Sequence, residues 1–237
     1  MDKNILQLEQ AGYAVLNQLY REDEIAQILD CIEKAEAEGK TGEKTEDVFA
    51  IRQLLNTTPE LRSLLFNEKL KELIATFSES TYFMTKAIYF DKPSTSNWFV
   101  GYHQDLSISV DQKVAIAGYQ NWTFKKGQYS VQPPLEILKD TITVRIHLDD
   151  TNTGNGALRI RPKSHLHGVI RIDAKNELFD AEHICEVKKG AVMLMKPLVL
   201  HASSRTTNGK QRRVIHLEFN HHQLASPLNW LEACNVF

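Results

Sequence analysis

Thr141-Ile142-Thr143-Val144-Arg145-Ile146-His147-Leu148-Asp149 alternates strictly between polar and apolar residues, and its reading decides the fold. A period of two marks a β-strand. Ile142, Val144, Ile146 and Leu148 therefore share one face, and Thr141, Thr143, Arg145, His147 and Asp149 share the other. A second strand, Arg212 to Asn220, repeats the pattern. Here Ile215, Leu217 and Phe219 lie with Arg213, and Arg212 lies opposite them with Val214, His216 and Glu218. Two architectures fit such strands. One is an ordinary sheet with a wet outer face. The other is a jelly roll whose apolar face is covered by helices and whose polar face lines a cavity. Alternation alone leaves both open.

Working outward, Tyr82 to Phe90, Tyr102 to Val110, Ala157 to Arg161 and Ala191 to Met195 are further strand-like runs. Thr153-Gly154-Asn155-Gly156 predicts a hairpin-type connection, and Pro162-Lys163-Ser164 the next exit. Upstream the pattern is helical. Gly12 to Leu19 is a short strand, after which Ile25, Ile28, Leu29 and Ile32 recur at helical spacing behind the acidic turn Glu22-Asp23-Glu24. Glu36 to Glu46 is a solvated loop. Thr58-Pro59-Glu60 predicts a capped helix start, with Leu61, Leu64, Leu65, Leu70, Leu73, Ile74 and Phe77 on one apolar face.

The reading is one domain over residues 1–237, of α+β class and mainly β. It has a helical part over about 1–80, a jelly-roll core over about 81–222 and an insertion over about 111–139. That insertion carries Tyr119, Trp122, Phe124 and Tyr129, and its length predicts a lid or binding loop.

A chain of 237 residues can bury a sizeable core as one unit. Its 42% hydrophobic and 24% charged content are those of an ordinary globular protein. A net charge of −2 and a pI near 6.5 give no footprint for nucleic acid or an anionic membrane, which leaves small molecules as the expected partners. Oligomeric state is not readable from these features. Cys31, Cys185 and Cys234 stand far apart, suggesting neither a disulfide framework nor a zinc knuckle and fitting a reducing compartment. The first residues lack a signal-peptide core, and no apolar run approaches the roughly 18 residues of a membrane span. A cytoplasmic location is therefore expected.

His103-Gln104-Asp105 places an imidazole and a carboxylate on one face of an extended segment, with Cα atoms about 7 Å apart. One further imidazole would complete a site of two histidines and a carboxylate on one side of a metal, suited to non-haem Fe(II). His201, closing an apolar run, is the best third ligand, and Arg212 follows eleven residues later. The same pattern recurs at His147-Leu148-Asp149. Spacing does not choose between the two copies.

Four pieces in order do choose. They are Gly12-Tyr13-Ala14-Val15 before a helix; His103-Gln104-Asp105; Leu148-Asp149-Asp150 through Asn155-Gly156-Ala157-Leu158 to Pro162-Lys163-Ser164-His165; and His201-Ala202-Ser203 with Arg212. Together they resemble the phytanoyl-CoA dioxygenase family of Fe(II)/2-oxoglutarate oxygenases over most of the chain. The resemblance implies a double-stranded β-helix, cupin-like, and favours the cavity architecture. It implies His103, Asp105 and His201 as Fe(II) ligands, with 2-oxoglutarate and O2 as co-substrates. It further implies Arg212 on the far carboxylate of 2-oxoglutarate, aided by Ser203 and Thr143. The reaction it implies is hydroxylation of a polar small molecule with release of succinate and CO2. Desaturation or cyclisation would use the same residues, whereas the carboxylate of Asp105 argues against halogenation.

Arg52, Arg145, Trp98, Tyr102, Tyr119 and Trp122 are the expected substrate contacts. A buried Arg145 needs an internal acid such as Glu218 or an anion on the ligand, because an unpaired buried charge is costly. Two other readings stand beside the enzyme: a non-catalytic binding or sensing protein on the same fold, and a cupin-like metalloenzyme that does not use 2-oxoglutarate.

Overall fold

A computed structural model describes residues 3–41, 49–78, 80–94, 99–171 and 182–237. The chain begins with α1 (Lys3–Ala11), β1 (Tyr13–Leu16), α2 (Glu22–Ala37), β2 (Phe49–Arg52), α3 (Leu54–Thr57), α4 (Leu61–Leu65) and α5 (Glu68–Ala75). It continues with β3 (Phe83–Lys92), β4 (Val100–His103), β5 (Ile108–Val110), β6 (Gln120–Lys125), β7 (Gln128–Gln132) and α6 (Leu135–Asp140). The last strands are β8 (Ile142–His147), β9 (Leu158–Arg161), β10 (His183–Cys185), β11 (Val192–Met195), β12 (Leu200–Ser203) and β13 (Arg212–Asn220).

Six strands pair in the order β1-β11-β8-β13-β3-β2, and four pair as β10-β9-β12-β4. The pairings within both sheets are antiparallel, giving the jelly roll that the alternating strands suggest. The faces of β8 and β13 fall as their periodicity requires. Ile142, Val144, Ile146, Leu148, Ile215, Leu217 and Phe219 pack in one core with Ile25, Ile28 and Ile32 of α2 and the leucines of α4 and α5. Each such side chain, fully buried, contributes about 1.5–3 kcal/mol. On the inner face, Leu158 and Ile160 of β9 meet Met193 and Met195 of β11 in a second core that closes one end of the sandwich. The other end holds the polar residues.

Three expectations need correction. The helix predicted from Thr58 to Phe77 is split, because Asn67 caps α5 by accepting a hydrogen bond from the Leu70 N–H at 2.9 Å. The strand predicted from Tyr102 to Val110 is two strands in different sheets. Gln104 pins the break by donating from Nε2 to the carbonyls of Leu198 and Gly168 at 2.6 and 2.8 Å. Thr153 to Gly156 is not a hairpin turn but a 3₁₀ turn capped by Asn152, and it carries the chain from the six-stranded sheet to the four-stranded one. The insertion is an ordered β6–β7 hairpin added to β5, with its tip at Lys126 and Gly127, both at positive φ. Its apolar side packs with the C-terminal tail around Val131, Leu228 and Trp230. No helix among the described residues is long and apolar enough to cross a membrane. Of the loop expected over Glu36 to Glu46, α2 takes the start and residues 42–46 lie outside the described ones.

Candidate metal centre

Antiparallel pairing of β4 with β12 sets His103 directly opposite His201, with ring centroids 4.2 Å apart. Each ring is oriented by the backbone two residues before it. Nδ1 of His103 lies 2.9 Å from the Gly101 carbonyl, and Nδ1 of His201 lies 2.9 Å from the Val199 carbonyl. A carbonyl only accepts, so both Nδ1 atoms carry a proton, and in the neutral rings the Nε2 atoms present their lone pairs. Those lone pairs face Asp105. Its oxygens lie 3.8 Å from Nε2 of His103 and 3.6 Å from Nε2 of His201, too far for hydrogen bonds.

Asp105 sits just past the end of β4, where its N–H donates to the Pro197 carbonyl at 2.9 Å. One ligand atom from each of His103, Asp105 and His201 lies within 4.8 Å of the others. Burial, outweighing the attraction of Asp105, brings the His201 imidazole down to about 4 and keeps it neutral. Burial also acts to raise the Asp105 carboxyl, but His201, His216, His103 and Lys86 outweigh it and hold the group at about 2. Three such acceptors converging fit a divalent cation. Two neutral imidazoles and an ionised carboxylate suit Fe(II).

The trio opens into a cavity of about 530 Å³ between the sheets. Arg212, at the start of β13, reaches into it. Its Nη1 donates to the Gly156 carbonyl, while its buried Nε has no partner among the described residues. Burial, and then the charge of Arg145, lowers Arg212 to about 9. Gly156 is required here by its φ of 83° and by crowding: a Cβ would stand 2.7 Å from the Ser204 carbonyl and 2.8 Å from Lys92 Nζ. Ser203 lines the cavity but spends its hydroxyl proton on the same Gly156 carbonyl, at 3.0 Å. Thr143 shares a strand face with Arg145 and is fully buried, yet it is not part of the cavity wall, and its Oγ1 has no partner among the described residues.

Arg145 lines the cavity, as the alternation of β8 requires. Glu218, expected as its acid, is committed elsewhere. The carboxylate accepts from Lys86 Nζ at 2.8 Å and faces His216 Nε2 at 3.1 Å. Arg145 Nη1 donates to His216 Nδ1 at 3.1 Å, so the proton of His216 sits on Nε2 and points to Glu218. Arg52 stands at the cavity edge, at the end of β2. Arg213 faces away from the cavity and pairs with Asp149 at 2.8 and 2.9 Å.

The aromatic contacts fall elsewhere. Tyr102 precedes His103 on β4 and so points to the opposite side, where it donates to Glu182 and lies under the guanidinium groups of Arg159 and Arg161. Tyr119 and Trp122 belong to the small core of the hairpin. Trp98 lies outside the described residues.

Two basic cavity residues escaped sequence reasoning. Lys92 ends β3 directly opposite Arg212, and its inward face could have been read from the alternation Phe90, Lys92. Burial and Arg212 lower it to about 8. Lys126 arrives from the hairpin tip, for which the sequence offers no signal.

A family model described as Phytanoyl-CoA dioxygenase (PhyH) matches residues 8–214. No curated protein matches the chain. Among solved structures, the non-heme alpha ketoglutarate dependent carbocyclase SnoK from nogalamycin biosynthesis superposes with a TM-score of 0.71 at 16% identity, covering 94% of this chain and 85% of its own. AviO1 from Streptomyces viridochromogenes Tue57 gives a TM-score of 0.65 at 21% identity, with 94% and 96% covered. HygX from Streptomyces hygroscopicus, solved with nickel and 2-oxoglutarate bound, gives 0.66 at 11% identity, with 93% and 87% covered. At these identities the likeness is one of fold.

Proposed function

The chain belongs to the phytanoyl-CoA dioxygenase family, and from that premise we propose that it is an Fe(II)/2-oxoglutarate-dependent oxygenase that hydroxylates an unactivated C–H bond of a polar small molecule. One observation carries the reading. Two Nε2 lone pairs and an ionised carboxylate converge at the wall of a cavity that also holds a buried, partly unpartnered guanidinium.

Bound among His103, Asp105 and His201, Fe(II) would supply the coupling of dioxygen activation to decarboxylation of 2-oxoglutarate. In the overall balance, one oxygen atom enters succinate, the other enters the new hydroxyl, and CO2 leaves. The protein's own residues set the stage for this. His103, Asp105 and His201 would hold the ion at the cavity wall, with the cavity itself left for the co-substrates. Arg212 binds the far carboxylate of 2-oxoglutarate through its free Nε–H edge, with the Gly156 carbonyl holding the guanidinium plane. Ser203 supports that carbonyl from the other side. Asp105 fills the position a halide would need, which sets halogenation aside.

Succinate release in the presence of Fe(II), ascorbate and 2-oxoglutarate tests the reading. Turnover is expected in the wild type and should fall at least roughly a hundredfold in Asp105→Ala. Absence of both turnover and anaerobic Fe(II) binding in the wild type would overturn it. Analysis of the oxidised product separates hydroxylation from desaturation or ring closure, which would use the same side chains.

A further inference from the structure

We propose that the substrate carries an oxyanion, a phosphate or carboxylate, and that Arg145 is the buried residue that binds it. The inference rests on the oxygenase reading, since it takes one anion site of the cavity to belong to 2-oxoglutarate.

Arg145 is 7% exposed, and the strand alternation of β8 aims it into the cavity. No carboxylate pairs with it among the described residues. Asp105 attracts it without an ion-pair contact, and Glu218, on the facing strand, is held by Lys86 and by the proton on His216 Nε2. Arg145 is left with one hydrogen bond to a histidine nitrogen, and its Nε–H has no partner among the described residues. A guanidinium so buried and so little compensated is completed by an anion from outside the chain.

The charge balance of the cavity points the same way. Among the described residues, Arg52, Lys92, Lys126, Arg145 and Arg212 line it, against the one carboxylate of Asp105. A divalent ion and the dianion 2-oxoglutarate cancel one another, so the loaded site keeps the same excess of positive charge as the empty one. The two carboxylates of 2-oxoglutarate are matched by the metal and by Arg212. Arg145 remains, with Arg52 and Lys126 beyond it at the mouth. Outside the mouth a polar groove continues past Lys125 along Asn121, Thr123 and Gln128, with no acid in its wall among the described residues. Side chains of this kind hydrogen-bond a hydroxylated or amide-bearing body and favour negative charge over positive.

The test uses protein loaded with Ni(II) and saturating 2-oxoglutarate, and titrates inorganic sulfate calorimetrically as a tetrahedral oxyanion probe. Sulfate is expected to bind the wild type at one site, and at least tenfold more weakly to Arg145→Gln, with part of the affinity restored in Arg145→Lys. Arg52→Gln should weaken it by a smaller factor. For 2-oxoglutarate the order reverses, with Arg212→Gln losing more affinity than Arg145→Gln. Three results would each overturn the proposal: no sulfate binding to the loaded wild type, equal sulfate affinity in wild type and Arg145→Gln, or a loss of 2-oxoglutarate affinity in Arg145→Gln as large as the loss for sulfate. The last would assign Arg145 to the co-substrate. Failure of the oxygenase reading looks different, because the Ni(II)-loaded wild type would then not bind 2-oxoglutarate at all. Matched pairs of compounds, each anion against its neutral amide or alcohol, are then compared in substrate-stimulated succinate release. The anionic member is expected to stimulate more, and consistent preference for the neutral member counts against the proposal. The phosphate and carboxylate pairs identify which oxyanion the site takes.

Discussion

His103, Asp105 and His201 in the cavity, and Asp140, His221 and His222 just beyond the C-terminal end of β13, each bring two imidazoles and a carboxylate within 4.8 Å of one another. In the cavity, both Nδ1–H groups are held by backbone carbonyls, and the Nε2 atoms stand 3.8 Å (His103) and 3.6 Å (His201) from the carboxylate, beyond hydrogen-bond range. In the second trio, His222 Nε2 lies 2.7 Å from Asp140, a direct hydrogen bond, and the two rings stack on each other at 4.3 Å. Exposure does not separate the trios: the His201 side chain is 6% exposed, but that of His103, at 40%, is more open than those of His221 and His222, at 25% and 32%. The same set of donors therefore makes a closed hydrogen-bonded pair in one place and an open trio in the other. Lone-pair direction, more than residue type, decides between them.

The sharpest way to break this comparison is to remove one member from each trio. His201→Ala is expected to lower Fe(II)-dependent turnover at least roughly a hundredfold and to abolish the high-affinity phase of an anaerobic Fe(II) titration. His222→Ala should leave both within about twofold. Equal losses would mean that the contrast in geometry carries no functional weight.

The pH dependence of stability sharpens it further. His201 is lowered from 6.5 to about 4 chiefly by burial, so between those values the unfolded chain takes up a proton that the folded, ion-free protein does not. Stability is thus fully present above pH 6.5 and is lost as the pH falls toward 4, by at most roughly 3 kcal/mol. Urea unfolding at a series of pH values should show this slope in the wild type and a shallower one in His201→Asn.

A smaller effect is expected on co-substrate binding. Arg212→Ala should weaken 2-oxoglutarate by about tenfold or more, the value of a charge-assisted pair, whereas Arg213→Ala should change it less than about threefold. Calorimetry on the Ni(II)-loaded protein measures both, and equal losses would contradict the opposite faces of these two neighbours. The least effect belongs to the second trio. Asp140→Asn should cost under about 1 kcal/mol by denaturant titration, as partly exposed ion pairs do, and the difference should shrink in high salt.

Much of this arrangement was legible in advance, for a local reason. Side-chain direction in a strand follows from parity, so Arg145, His216 and Arg212 could be assigned to one inner face and Arg213 to the other without knowing any neighbour. The choice of His103 over His147 came from family resemblance. The structure supplies a physical counterpart: His147 Nδ1 lies 2.8 Å from the Thr151 hydroxyl, away from any such trio. Parity would also have turned Tyr102 away from the cavity, since His103 beside it faces inward. An aromatic next to a ligand is not a wall residue on that account.

The sequence by itself determined the strand faces, the helical cover over Ile142 to Leu148, the donor set and the neighbouring basic strand, because each depends on periodicity within a few residues or on a motif read in order. Only the tertiary structure decided which acid meets which base. Glu218 goes to Lys86 and His216 because β13 pairs with β3 in a register that sets Glu218 against Lys86, while β8 brings Arg145 against His216. Lys92 reaches the cavity through the same β3 register, and Lys126 because a hairpin more than thirty residues further along folds back toward it. These are contacts between residues far apart in the chain, and a shift of one residue in register would turn every one of them to the other face.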